Sequence, residues 1–107
     1  MKRYYIFQMP VSNGKVFCHY DPTVKVDLDE YVPVYTGIAE SEDDPIAELE
    51  RLFTEFNCTP PKGFAGRSLS VSDVIEFVDE DTRASEFYYC DWIGFERLDG
   101  KDNFRAG

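Results

Sequence analysis

One ten-residue run, Gly66-Arg67-Ser68-Leu69-Ser70-Val71-Ser72-Asp73-Val74-Ile75, does most to limit what this chain can become. Ser68, Ser70, Ser72 and Asp73 carry short polar side chains that hydrogen-bond nearby backbone groups, so they favour caps and tight turns over a continuous helix or ladder. Leu69, Val71, Val74 and Ile75 are apolar and mostly β-branched, so the same run has to be buried. The two demands together predict a structural corner: a short turn over Ser70–Asp73 that feeds a strand over Val74–Val78. A helix from Ser70 competes, because Val71, Val74, Ile75 and Val78 also fall at helical spacing behind a serine cap. The β-branched content and the acidic turn at Asp79-Glu80-Asp81 decide for the strand.

The rest of the chain is read outward from that corner. Upstream, Asp43-Asp44-Pro45 opens the clearest helix, with an aspartate at the cap, proline at the first helical position and acids at the positive end of the dipole. Ile46, Leu49, Leu52, Phe53 and Phe56 share one face, and Glu48, Glu50, Arg51 and Glu55 the other. Asn57 and Pro60-Pro61 stop it, which sets the helix at about residues 45–57. Arg3 to Met9 reads as a strand ending at Pro10, and Ser12-Asn13-Gly14 as a turn that returns Val16 to Tyr20 as its hairpin partner. Val24 to Val26 is at most a short extended piece. Tyr31 to Ala39 alternates like a strand, and Pro33, which has no N–H to donate, places that strand at an edge or at a bulge. Downstream, Phe87 to Trp92 is the hairpin partner of Val74–Val78. Gly94 breaks the ladder, Phe95 to Leu98 is a last short strand or turn, and residues 99–107 form a polar tail. The expectation is an α+β fold: one domain over residues 1–107, with an antiparallel sheet of four to six strands and one main helix.

Composition narrows the function classes. The 107 residues suffice for one core, and 16% aromatic content argues against disorder. Eleven basic against twenty-one acidic residues leave a formal net charge of −10, which disfavours direct nucleic-acid binding and anionic membranes and favours a protein partner with a basic surface. No apolar run is long enough for a membrane span or a secretory segment, and Cys18, Cys58 and Cys90 form no short-spaced pair. A cytoplasmic protein with reduced, mostly buried thiols is expected.

The corner run, followed by Phe87-Tyr88-Tyr89-Cys90-Asp91-Trp92-Ile93-Gly94-Phe95, resembles the YodL-like domain family. That family's pattern runs from a helix ending in Phe-x-x-Asn through Ser-Leu-Ser-Val-Ser-Asp-Val-Ile to Tyr-Tyr-x-Asp-x-x-Gly-Phe. Phe53 to Asn57, reading Phe-Thr-Glu-Phe-Asn, stands in the place of the first anchor, Ser68 to Ile75 supplies the second, and Asp91, Gly94 and Phe95 complete the third. Tyr31 to Gly37 is similar to the family's extended segment, so the resemblance covers residues 31 to 98. It departs at Trp92, which is bulky. The resemblance implies a small bacterial module, found alone or inside large proteins of conjugative elements and phages, with no catalytic residues to transfer.

The chemical candidates are weighed on their own residues. Ser68, Ser70 and Ser72 lack a neighbouring base and an oxyanion signature, so capping outweighs nucleophilic work. Cys18 and His19, adjacent on an expected strand, point to opposite faces. Zinc on Cys18, His19, Cys58 and Cys90 lacks paired spacing, and Asp79-Glu80-Asp81 lacks the loop pattern of a calcium hand, so no metal and no cofactor is expected. The tyrosines and Trp92 serve core and interface packing rather than base stacking, which needs a basic groove. Two acidic groups remain: Glu40, Glu42, Asp43, Asp44 and Glu48 at the helix start, and Asp79, Glu80, Asp81 and Glu86 around the second hairpin. The leading expectation is a non-enzymatic, intracellular protein-binding module of a mobile or accessory genetic element, acting through this acidic and aromatic surface. One alternative is a DNA mimic that inhibits a host restriction or CRISPR nuclease. Another is a small enzyme using His19 or a cysteine, which an enclosed pocket joining His19, Cys90 and Asp91 would favour.

Overall fold

The computed structural model describes residues 1–106. Among them the chain forms β1 (Lys2–Gln8), β2 (Val26–Asp27), a single 3-10 turn (Leu28–Glu30), β3 (Val32–Ile38), α1 (Pro45–Cys58), β4 (Val74–Asp79), β5 (Ser85–Cys90), β6 (Phe95–Arg97) and β7 (Phe104–Arg105). Five strands make one antiparallel sheet in the order β3-β1-β4-β5-β6. The architecture is α+β, with one main helix against one face of the sheet.

Side-chain alternation assigns the two faces. Tyr4 and Ile6 of β1, Ile75 and Phe77 of β4, and Tyr88 and Cys90 of β5 meet Leu49, Leu52 and Phe56 of α1. Phe7, Val74, Phe87 and Tyr89 point the other way, into a second cluster with Met9, Val26, Tyr31 and Leu98. Among the described residues no second helix covers that face. The loop over residues 10–31 and the C-terminal segment do so instead. Gly37 of β3 stands opposite Tyr4, and a Cβ there would meet the Tyr4 hydroxyl at 2.5 Å, so only glycine lets the ring lie flat under the edge strand.

Several local expectations hold. Asp44 caps α1, its Oδ1 accepting from the Ala47 N–H at 3.0 Å, with Pro45 at the first helical position. The turn before β4 is where the serine run places it, and the Asp73 N–H donates to the Ser70 carbonyl. Pro33 lies both on an edge strand and at an irregularity: Ile6 pairs with Tyr35 and Phe7 with Pro33, so Val34 is the extra residue of a bulge.

Others are corrected. Val16 to Tyr20 is not a strand, and there is no N-terminal hairpin; β1 is an inner strand between β3 and β4. The cause lies at Asn13, whose Oδ1 accepts from the Lys15 N–H at 2.8 Å while its N–H donates to Pro10. Phe17 follows at φ 65°, outside the extended region. The backbone groups a strand partner would have satisfied go to side chains: the Phe17 N–H to Ser72 Oγ, and the Cys18 carbonyl to the Tyr89 hydroxyl. The polar tail also has structure, since β7 pairs in parallel with β2 and Phe104 lies 5.0 Å from Phe87, centroid to centroid. Two of the three thiols are exposed rather than buried, because Cys18 sits in the turning loop and Cys58 ends α1. Ile46, placed on the buried face by its spacing, is 45% exposed, whereas Glu48, placed on the solvent face, is 1% exposed.

Candidate functional site

The corner run is a buried polar junction. Asp73 is fully buried, and its Oδ2 accepts from the Ser70 N–H at 2.8 Å and from Gln8 Nε2 at 3.0 Å. Gln8 in turn donates to the Arg67 carbonyl and accepts from the Arg67 N–H, at 2.9 and 3.2 Å, so its amide copies a ladder pair across 59 residues. Gly66 makes room, since a Cβ there would come within 2.5 Å of Gln8 Oε1. Desolvation pushes the Asp73 carboxyl up to about 6, against the Ser70 and Gln8 hydrogen bonds and Arg67, which pull it down. Ser72 is buried at φ 82°, a conformation a non-glycine residue adopts at a cost, and its carbonyl accepts from the Tyr31 hydroxyl at 2.7 Å. Of the serines, Ser70 Oγ donates to the Ser68 carbonyl and Ser72 Oγ accepts from Phe17, so both are occupied in holding backbone.

Next to this junction, on the loop-covered face, lies a pocket of about 340 Å³. Its floor is Met9, Val26, Tyr31 and Tyr89, all buried, and its rim includes Phe17, Cys18, His19, Val24, Lys25 and Trp92. His19 Nδ1 lies 3.1 Å from the Tyr20 carbonyl oxygen, and its ring meets Trp92 edge to face at 6.0 Å. Cys18 and His19 therefore come together at a rim, not on opposite faces of a strand. Cys90 is elsewhere, packed on the α1 side of β5, with its thiol pushed well up by burial. Asp91 does not line the pocket either; its Oδ1 accepts from the Tyr20 and Trp92 N–H groups. Trp92 and Ile93, in the β5–β6 turn, are 74% and 96% exposed. Most of the tyrosines singled out by sequence are spent inside, in the two clusters on either face of the sheet.

The two acidic groups meet at the opposite end of the sheet. Lys2 pairs with Asp79 and Arg3 with Ile38, so β1 begins where β3 and β4 end. Backbone bonds fasten both acidic segments there: the Ala39 N–H donates to Lys2 at 2.8 Å and the Glu80 N–H to Met1 at 3.0 Å. Cations are interleaved, with Lys2 near Glu86 at 3.8 Å, Arg3 near Glu80 at 3.7 Å and Arg51 near Glu40 at 3.4 Å. Met1, Ile38 and Ile46 are exposed at this end. Glu48 does not belong to this surface. Its oxygens accept from the Glu40 and Ser41 N–H groups and from Arg51, so it is the inner strut of the β3–α1 connection. Asp79 is likewise partly committed, its Oδ1 accepting from the Asp81 and Thr82 N–H groups of the hairpin tip.

Helix, corner and closing hairpin thus stand in the order and contacts their sequence anchors require, and the family model of the YodL-like domain matches residues 6–100. The chain belongs to the YodL-like domain family. No curated protein and no solved structure matches it. The match reaches back to Ile6, so it includes the end of β1 and the loop that covers the second face. For this YodL-like domain, the residues that sequence reasoning missed are Gln8, Phe17 and Tyr31, each bonded across more than 40 positions to the corner. Gln8 carried one signal, an uncharged polar residue ending the apolar Tyr4 to Phe7 run, whereas Phe17 and Tyr31 carried none. Among the described residues no group of three or more His, Cys, Asp or Glu is placed to hold a metal, and no helix is long and apolar enough to cross a membrane.

Proposed function

We propose that this YodL-like domain is a non-enzymatic, intracellular protein-binding module of a mobile or accessory genetic element. It engages a partner with a basic surface through the end of the sheet where β1 begins. The observation that carries this reading is that the two acidic groups meet at the Met1 ammonium, which faces Glu42 at 3.3 Å and Asp81 at 3.9 Å, at the end of the sheet where Met1, Ile38 and Ile46 are exposed. Apolar surface inside a charged rim is the anatomy of a protein interface, in which the apolar part gives affinity and the charges give orientation and rate. Lys2, Arg3 and Arg51 interrupt the acids, and this favours an ordinary protein contact over an unbroken row of carboxylates imitating phosphates.

The test compares the native protein with a fourfold variant, Glu42→Gln, Asp43→Asn, Glu80→Gln and Asp81→Asn, as baits in a bacterial lysate. Asp44, Glu48 and Asp79 are left intact because they hold the fold. The expected result is a partner retained at low salt by the native bait, released as salt rises, and absent from the variant bait at an unchanged melting temperature. A partner held equally by both baits, or no partner on either, overturns the reading.

A further inference from the structure

We propose that the pocket beside Trp92 is a binding site for a small apolar monocarboxylate, an aryl- or alkyl-chain acid whose body fills the pocket and whose carboxylate meets Lys25. The site is at the far end of the strands from the acidic surface and is independent of it.

Three observations carry the assignment. First, the space is concave and has an apolar floor: Met9 and Val26 are buried, and the hydroxyls of Tyr31 and Tyr89 are turned to backbone, donating to the Ser72 and Cys18 carbonyls at 2.7 and 2.6 Å. A volume of about 340 Å³ lies in the range of small-molecule sites. Second, the walls stay apolar at the mouth, where Phe17, Val24 and Trp92 are large hydrophobic side chains left open to solvent. Such a grouping is costly in water and is relieved by an apolar guest.

Third, the charged side chains of the lining are committed, with one exception. Asp21 Oδ1 accepts from the Thr23 N–H and hydroxyl at 2.8 and 2.7 Å. Asp27 Oδ1 accepts from the Asp29 N–H at 3.0 Å, and its Oδ2 faces Arg105 at 3.8 Å. Lys15 Nζ donates to Glu30 at 2.8 Å and to the Lys25 carbonyl at 3.1 Å. Lys25 lines the pocket, and its ammonium makes no hydrogen bond or ion pair among the described residues, acting only at longer range on the Glu30 carboxylate that Lys15 already holds. Lys25 is therefore the one charged side chain of the lining whose hydrogen-bonding groups are unspent, and because those groups are donors they suit an anion. A second charge on the guest is disfavoured, since Asp21 and Asp27 flank the mouth.

The chain contains a single tryptophan, so its indole N–H gives one reporter signal at the pocket. The experiment is a ¹⁵N-correlated NMR titration of the intact protein with 4-phenylbutyrate, with its neutral amide 4-phenylbutanamide, and with the cationic 4-phenylbutylamine. With the acid, the Trp92 indole and the backbone amides of Phe17 to Val26 are expected to shift together and saturate at millimolar concentration. The amide and the amine are expected to bind at least threefold more weakly, which is the modest size of a partly exposed charge-assisted contact. Lys25→Gln, at an exposed position, is expected to bring the acid down to the level of the amide, while Lys62→Gln leaves it unchanged. Spectral dispersion like that of the native protein establishes that each variant is folded. Absence of a saturable shift at Trp92, equal binding of acid and amide, or an acid affinity indifferent to Lys25→Gln overturns the proposal.

Discussion

Gln8 Nε2 donates to Asp73 Oδ2 at 3.0 Å, although the two residues are 65 positions apart and both are buried. This bond ties the end of β1 to the turn before β4, the inner strands of the sheet. Because the accepting carboxyl is raised to about 6, the junction has a definite pH signature. A carboxyl whose folded value lies above its ordinary 3.8 stabilises the fold fully below 3.8 and loses that contribution as pH rises through 6. Measured by urea unfolding between pH 4 and 7.5, the stability of the native protein minus that of Asp73→Asn is expected to fall with rising pH, by at most about 3 kcal/mol. A flat difference refutes it.

The same junction separates two residues of the serine run that look alike in sequence. Asp73→Ala removes the acceptor of both the Ser70 N–H and Gln8 Nε2 and is expected to cost about 2–4 kcal/mol. Ser70→Ala removes only an exposed bond to the Ser68 carbonyl and is expected to cost under about 0.5 kcal/mol. Thermal melts of the two variants check the contrast; equal losses would contradict it.

Glu48 behaves oppositely to Asp73. Burial pushes its carboxyl up, but Arg51 and the Glu40 and Ser41 amides outweigh that and hold it below its ordinary 4.5. Its contribution is therefore present above 4.5 and lost as pH falls below it. Glu48→Ala leaves Arg51 and two N–H groups without their acceptor and is expected to cost about 3 kcal/mol at pH 7, with a smaller loss in acid. Denaturant midpoints at pH 7 and pH 3.5 test this; a larger loss in acid than at neutrality would count against it.

Gly37→Ala is expected to destabilise by about 1–3 kcal/mol, because the new methyl meets the Tyr4 ring at the sheet edge. Tyr4→Phe removes the nearest atom, the hydroxyl at 2.5 Å, and is expected to recover part of the loss in the double variant. A strictly additive double-mutant cycle rules the contact out as the cause.

Reaction with a thiol reagent under native conditions is expected to modify Cys18 and Cys58 quickly and Cys90 only after unfolding, since Cys90 is fully buried against α1. Three fast thiols in the native state contradict the placement of Cys90.

How much of this was legible in the sequence depended on whether the signal was local. The Asp44 cap, Pro45, the Leu49, Leu52 and Phe56 positions of α1 and the strand at Val74 are set by neighbours within a few residues and stand where the sequence predicts them, and the strand predicted over Phe87 to Trp92 is shifted by two residues to Ser85–Cys90. The Val16 to Tyr20 strand failed because Asn13-Gly14 is compatible with both a hairpin and a tighter coil. Contacts from Ser72 and Tyr89, 55 and 71 residues away, select the coil. Glu48 was misread because helical periodicity assigns a carboxylate to solvent, and only the return of the β3–α1 connection over that position gives it donors.

By itself the sequence determined the α+β class, the helix, the corner before β4 and the family, since each rests on propensity, capping or a fixed run of residues. Only the tertiary structure decided that β1 is an inner strand, that the acidic groups share one end of the sheet, and that Trp92 and Lys25 border a pocket at the other. The physical reason is range. Turn and cap chemistry is settled by groups a few bonds apart, whereas a surface or a pocket is defined by which distant segments burial brings together, and many registers satisfy the same apolar pattern until the whole core closes.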